Sequence, residues 1–534
     1  LTFLAFIPAI AAETKVDFNN QIRPILSEYC FHCHGPDKHD RKGKLRLDMA
    51  DGIDGAFRLR KKRYGIKTGD PQQSHVYLRM ITDDEDDLMP PPDTNKQMKP
   101  EEIALVKKWI EQGAEYKEHW SFTKPTKKPL PKVNKKSWVN NPIDQFILAK
   151  MEKQKFTPSE AADKKTLVRR LYLDLTGLPP TIKQAKQFLN SKSPTAYSDL
   201  VDQLMSTPAF AERMALDWLD VARYADTNGF SIDDHRDSWG WRDWVISAFM
   251  KNMNYKDFLT EQIAGDLIPN ATVHQKSATG FLRNSMNTHE GGTIAEEYRV
   301  QYTMDKLDTV STAFMGLTVK CAQCHDHKFD PISHKSFFEL YAYFNNSSES
   351  GAGAQHGNSW PFIQLNSELT PVDKMKKLHL ERIAELNKFR ELVKGQKERH
   401  GFKIDITMKA IDKEIFAINN QIKAGKTSVM VMDSASKRKT FILDRGQYNK
   451  PTAEVKPKVL ENLLPMPANY PNNRLGLAMW LTHPDHPLTA RVAVNRLWQL
   501  LFNRGLVETS EDFGSQGSVP THPQLLDYLA VQFQ

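Results

Sequence analysis

All four cysteines of this 534-residue chain fall in two Cys-x-x-Cys pairs, and in each pair the next residue is histidine. The first motif reads Cys30-Phe31-His32-Cys33-His34 and the second Cys321-Ala322-Gln323-Cys324-His325. Two thiols three positions apart share one helical turn, and the histidine leaves the chain beside them. Such a turn can bond two thiols to the two vinyl groups of one haem and offer the imidazole to its iron. The expectation is two covalently bound haem c groups. Cys30, Cys33, Cys321 and Cys324 are the attachment points, and His34 and His325 are the iron ligands. A zinc shared by the two pairs gives no reason for the histidines. A thioredoxin-like redox pair belongs to a βαβ pattern that neither motif follows. A secreted disulfide scaffold would carry more cysteines, scattered along the chain. With 17 histidines in the chain, coincidence poorly explains one behind each pair.

The first twelve residues, LTFLAFIPAIAA, are apolar and end in Ala-Ile-Ala. They read as the remnant of a secretory signal peptide, which places the protein in the periplasm or cell envelope; a buried N-terminal segment is the alternative. The stretch is too short to cross a bilayer, and no longer apolar run follows, so no transmembrane segment is expected. The net charge of +8 comes from 73 basic residues interleaved with 65 acidic ones, a pattern that does not suggest nucleic acid as a partner.

The pattern along the chain is mainly α. Residues 13–122 form a first unit, with Phe18, Ile22, Ile25 and Tyr29 at helical spacing before the first motif. A second helix starts at Pro100-Glu101-Glu102, carries Ile103, Val106, Trp109 and Ile110, and stops near Gly113. Residues 123–140 are a Lys/Pro-rich linker, expected to separate two independent units. Residues 141–370 form a larger helical domain with the second motif. Residues 371–425 read as a helical hairpin: Ile383, Leu386, Phe389 and Val393 face Ile404, Met408, Ile411, Ile415, Ile418 and Ile422, with the turn at 394–403. Within 426–470, Ser428–Met432 and Thr440–Leu443 read as two strands around a polar turn. Residues 471–534 begin a further helical domain that the sequence cuts short.

Each haem iron has a sixth position to fill. For the first, Met89 in Leu88-Met89-Pro90-Pro91-Pro92 is well placed, because prolines stiffen its loop; Met98 and Met80 compete. For the second, His289 in Asn287-Thr288-His289-Glu290-Gly291-Gly292 is the favoured ligand. Its competitors are His334, Met286, Met304 and Met315 or an open position, while His327 is too near His325 to reach the opposite face.

Longer stretches carry a family resemblance. Phe18 to Leu26, Cys30 to His34, Met89 to Pro91, and Glu102 to Ala114 together resemble the planctomycete-type cytochrome c domain. Arg170 to Pro180, Ala222 to Asp226, Gln262 to Asp266 and Gly316 to Pro331 resemble the domain of unknown function that usually follows it. Arg474, Arg491 to Arg496 and Asp512 to Gly514 resemble the start of a second such domain. The resemblance implies a haem protein of the bacterial cell envelope and supplies no reaction.

The function expected is electron transfer by an exported di-haem cytochrome, the redox part of an envelope oxidoreductase, served by a redox partner protein or a small-molecule donor. One alternative is a haem peroxidase-like enzyme, which needs an open sixth position. Another is an oxidoreductase, of carbohydrate for instance, with its active site in the middle or last domain. There, Asp226 to His235 with Trp239, Trp241 and Arg242 gather acid, base and aromatic residue types, although a structural polar network would look the same. A binding module with vestigial redox groups is the remaining reading. The oligomeric state is not encoded in any of these features.

Overall fold

A computed structural model describes residues 15–354, 357–365, 372–400, 405–424 and 427–534. The apolar leader at 1–12 lies outside the described residues. The fold is mainly α, and among the described residues the strands form three separate antiparallel pairs.

The N-terminal unit closes around its own apolar cluster. Asp17 caps the first turn by accepting from the Asn20 amide, and a wide turn at Phe18–Ile22 runs into the helix Arg23–Tyr29. This buries Phe18, Ile22, Ile25 and Leu26. The helix Pro100–Glu111 packs Val106, Trp109 and Ile110 onto them, with Phe18 and Trp109 ring centres 5.5 Å apart. Its start follows from its sequence: proline occupies the first turn, and the Glu102 carboxylate accepts from the Lys99 amide at 2.8 Å. Glycine past its end takes the positive φ of 103° at Gly113.

A second, larger core draws on residues from Phe146 to Ala530. The middle region and the C-terminal helices Arg474–Leu481, Thr489–Phe502 and Pro523–Phe533 are therefore built on one apolar interior. One buried ion pair joins the middle region to these helices, and a second joins two of the helices to each other. Arg474, with no exposed surface, donates to both carboxylate oxygens of Asp266 at 2.8 and 2.7 Å. Arg491 donates to Asp527 and to the carbonyls of Pro487 and Thr123. A small satellite cluster of Val168, Leu171, Tyr172, Phe188, Leu200 and Leu204 sits beside the main core.

The Lys/Pro-rich stretch is extended, but it is not a free tether. Just before it Trp120 and Phe122 pack on the large core, and within it Lys128 pairs with Asp527 at 3.4 Å and Val133 is buried. The expected independence of the two haem units is therefore corrected: Phe329, from just beyond the second motif, packs into the N-terminal apolar cluster.

The helical hairpin is present as Val372–His400 and Asp405–Ala424, with Leu386, Val393, Ile411 and Ile418 buried between them. Arg382 pairs with Glu414, and Arg390 with Asp412, each at 3.0 Å. The first helix continues through Gly395 to His400, so the expected turn at 394–403 begins later; 401–404, including Ile404, lie outside the described residues. Phe389 is exposed, at the rim of the seam between the helices and outside its buried cluster.

The two expected strands both form, but they do not pair with each other. Thr427–Met430 pairs with Phe362–Leu365, and Thr440–Leu443 with Pro451–Val455. The segment between them is drawn onto the 345–348 loop, where Asp433 accepts from the Ser348 amide at 2.7 Å and the Ser436 amide donates to Asn346 at 3.0 Å. Anchored there, it cannot make the tight turn that a direct hairpin needs.

Candidate haem-binding sites at a shared interface

The first motif continues directly from the helix Arg23–Tyr29. The short helix Phe31–His34 carries it, with the Cys33 and His34 amides donating to the Cys30 carbonyl at 3.1 and 2.8 Å. Phe31 is buried beneath the turn, while Cys30 and Cys33 are half-buried free thiols. Burial, reinforced by Cys33, pushes the Cys30 thiol up to about 12. A redox-active Cys-x-x-Cys pair needs the opposite shift, toward thiolate. His34 Nδ1 is buried without a hydrogen-bond partner, and burial lowers the affinity of the ring for a proton. A neutral imidazole is the form that gives a lone pair to a metal.

The second motif occupies a tight turn, Val319–Gln323, whose Cys321 and Cys324 are exposed free thiols. Burial and the nearby carboxylates of Asp512, Asp308 and Asp330 raise the Cys321 thiol, while Thr318 opposes them. His325 Nδ1 faces the Asp326 carbonyl oxygen at 2.6 Å. A carbonyl can only accept, so the neutral ring carries its hydrogen on Nδ1 and keeps Nε2 as the free lone pair. His327 is spent on the fold: Nδ1 accepts from the Asp330 amide at 2.9 Å and Nε2 meets Thr318 Oγ1 at 3.2 Å.

The tertiary structure brings the two motifs together. Asp37, three residues past His34, is buried and holds Oδ2 3.4 Å from His325 Nδ1. Asp40 and Lys328 form an ion pair at 2.9 Å. Gly35 lies so close to the Lys328 carbonyl that a Cβ would stand 2.8 Å from it. A C-terminal segment braces both sides. Asp330 accepts from the Ser515 amide at 2.8 Å, and Gln516 donates to Ser27 Oγ at 2.5 Å. Burial and Asp330 together raise the Asp512 carboxyl to about 6.

The expected sixth ligands fall in different surroundings. Met80 is buried in the N-terminal cluster and Met98 packs against it, whereas Met89 is half-buried on its loop, with its amide donating to the Arg79 carbonyl at 2.8 Å. His289 is held in the middle region, Nε2 3.3 Å from Asp234. His334 lies against the second motif: its amide donates to Asp326 at 2.9 Å, its ring feels the Gln323 backbone, and its Nε2 is buried without a partner. Met304 and Met315 are buried in the large core, and Met286 is exposed.

The acid, base and aromatic cluster at 226–242 is largely engaged in the fold. Asp226 accepts from Tyr224 and from the Ser238 amide, and buried Arg236 donates to the Ser285 and Asn284 carbonyls. Trp241, one of the aromatic residues of this cluster, is buried in the large core.

Family comparison matches residues 30–93 to "Planctomycete cytochrome C", residues 142–349 to "Protein of unknown function (DUF1549)" and residues 473–534 to "Protein of unknown function (DUF1553)". The chain carries a planctomycete-type cytochrome c domain followed by DUF1549 and DUF1553 regions. No curated protein and no solved structure matches it. The cytochrome c domain implies covalently bound haem c. The first motif fits that group, with two free thiols on one turn and a buried, partnerless imidazole nitrogen beside them. The second motif has the same donor set inside the DUF1549 region, whose description assigns no cofactor. Among the described residues, no three His, Cys, Asp or Glu side chains converge into a metal-holding group, so the shared-zinc alternative has no ligand cluster there. No helix among them is long and apolar enough to cross a membrane.

Gly35, Asp37, Asp40, Lys328 and Phe329, which join the two motifs, form no motif recognisable along the chain. The charged residues following each histidine are their only trace, and nothing in the chain indicates that one set faces the other.

Proposed function

We propose that this planctomycete-type cytochrome c is an exported di-haem protein that carries electrons as the redox part of a cell-envelope oxidoreductase, working with a redox partner protein or a small-molecule donor. The observation that carries this reading is the meeting of the two Cys-x-x-Cys-His turns at one interface, with free thiols on both and Asp37 against His325. Cys30, Cys33 and His34 would hold one haem, and Cys321, Cys324 and His325 the other. When bound, each haem supplies a one-electron couple. The chain's own part is to anchor it, present a neutral imidazole, and limit water around the iron. Met89 is the proposed sixth ligand of the first haem. For the second, the proximity of His334 to the motif favours it, with His289 as the competitor.

Mass spectrometry of protein from a host competent in cytochrome c maturation tests the reading. Two haems are expected, one on each motif peptide, and Cys321→Ala with Cys324→Ala should remove one and leave the other. Haem on the first peptide alone would reduce the chain to a mono-haem cytochrome. A second haem that stays high spin and binds peroxide would favour the peroxidase-like reading.

A further inference from the structure

Asp37 belongs to the N-terminal unit by sequence, yet its carboxylate is directed at the second motif. It is 2 % exposed, Oδ1 accepts from the His39 amide at 2.9 Å, and Oδ2 stands 3.4 Å from His325 Nδ1. His325 already directs Nδ1 to the Asp326 carbonyl at 2.6 Å, which leaves Nε2 as the ligating atom. The Asp37 charge therefore lies on the Nδ1 side of the ring, opposite the nitrogen that would hold the iron.

We propose that Asp37 is a positioning residue for the second haem, supplied across the interface by the first haem's own domain, and that it sets the potential of the second haem below the value His325 alone would give. This rests on the di-haem reading above. Outer carboxylates behind a ligating histidine fix its tautomer and raise its basicity. A buried negative charge also favours the more positive, ferric state over the ferrous one, which differ by one electron and no bond. The charge is held firmly. Next to it Asp40 pairs with Lys328, Gly35 lies against the Lys328 backbone, and Phe329 enters the N-terminal cluster. The spacing between Asp37 and His325 is thus fixed by the docking of the units and not by a flexible side chain on the surface. A consequence is directional: the charge makes the second haem a stronger reductant than it would be without Asp37, which favours electron flow away from it.

The test is a spectroscopic redox titration of the full, haem-loaded chain, with haem counted on each peptide. Asp37→Asn should shift the second haem's reduction equilibrium toward ferrous by about tenfold, which is about 59 mV for one electron, and leave the first haem's step in place. Asp37→Glu, which keeps the charge, should restore most of the wild-type value. Asp40→Asn, which removes a more exposed carboxylate that pairs with Lys328 and acts on His325 only from a distance, should move it less than Asp37→Asn does. Should Asp37→Asn fail to fold, Asp37→Ser carries the same expectation. Two haems with an unmoved second step would overturn this assignment alone, as would an equal shift in Asp40→Asn. Haem on the first peptide only would overturn the di-haem reading and this assignment with it.

Discussion

Replacing Gly35 by alanine tests the docking of the two units at its tightest point. Gly35 has φ −113° and ψ −159°, an extended conformation open to any residue, so its need for glycine is spatial. A methyl group there would press on the Phe31 carbonyl within the first motif and stand 2.8 Å from the Lys328 carbonyl across the interface. Both are backbone atoms and cannot swing aside, so either the haem-binding turn or the second unit must move. Overpacking of this kind costs about 1–3 kcal/mol. At about 2–4 °C per kcal/mol for a cooperative unit of 150–250 residues, the melting temperature should fall by about 2–12 °C. The assay is thermal unfolding of the haem-loaded chain followed by circular dichroism, with Gly291→Ala as control because a methyl group there meets nothing within 4 Å. Gly35→Ala melting together with that control and with the wild type would refute the close approach of the two motifs.

Met89→Ala should abolish the methionine-to-iron spectral features of the first haem, whereas Met98→Ala should keep them; the reverse pattern would move the role to Met98. His334→Ala should turn the second haem high spin and His289→Ala should not, read from the optical and paramagnetic resonance spectra. Asp266→Ala should destabilise the chain by about 3–5 kcal/mol in urea unfolding, because it leaves the fully buried Arg474 charge without its partner. Burial pushes His486 down to about 3 from an ordinary 6.5, so the fold holds it neutral while the unfolded chain takes up a proton. Its contribution is complete above about pH 6.5 and is lost as pH falls toward 3. The unfolding midpoint should therefore drop across that window, less steeply in His486→Gln.

Local chemistry was legible without any structure. The two Cys-x-x-Cys-His turns, the helix opening at Pro100 and the buried faces Phe18/Ile22/Ile25 and Val106/Trp109/Ile110 all follow from residues a few positions apart, whose interactions are set by helical geometry. The hairpin faces were legible for the same reason, except at Phe389, where a match in spacing does not ensure burial. Strand pairing was not. Thr427–Met430 has backbone edges that several segments could satisfy, and the anchoring of Asp433 and Ser436 to the 345–348 loop decided between them.

The sequence by itself determined that thiols and imidazoles occur in haem-binding order, since that order is covalent and local. Only the tertiary structure decided that the two motifs, nearly three hundred residues apart, meet. Their approach depends on Phe329 finding an apolar cluster, Lys328 an acid and Gly35 a bare backbone surface, each supplied by a different part of the chain. Complementarity of that kind is a property of two folded surfaces, and neither segment states it alone.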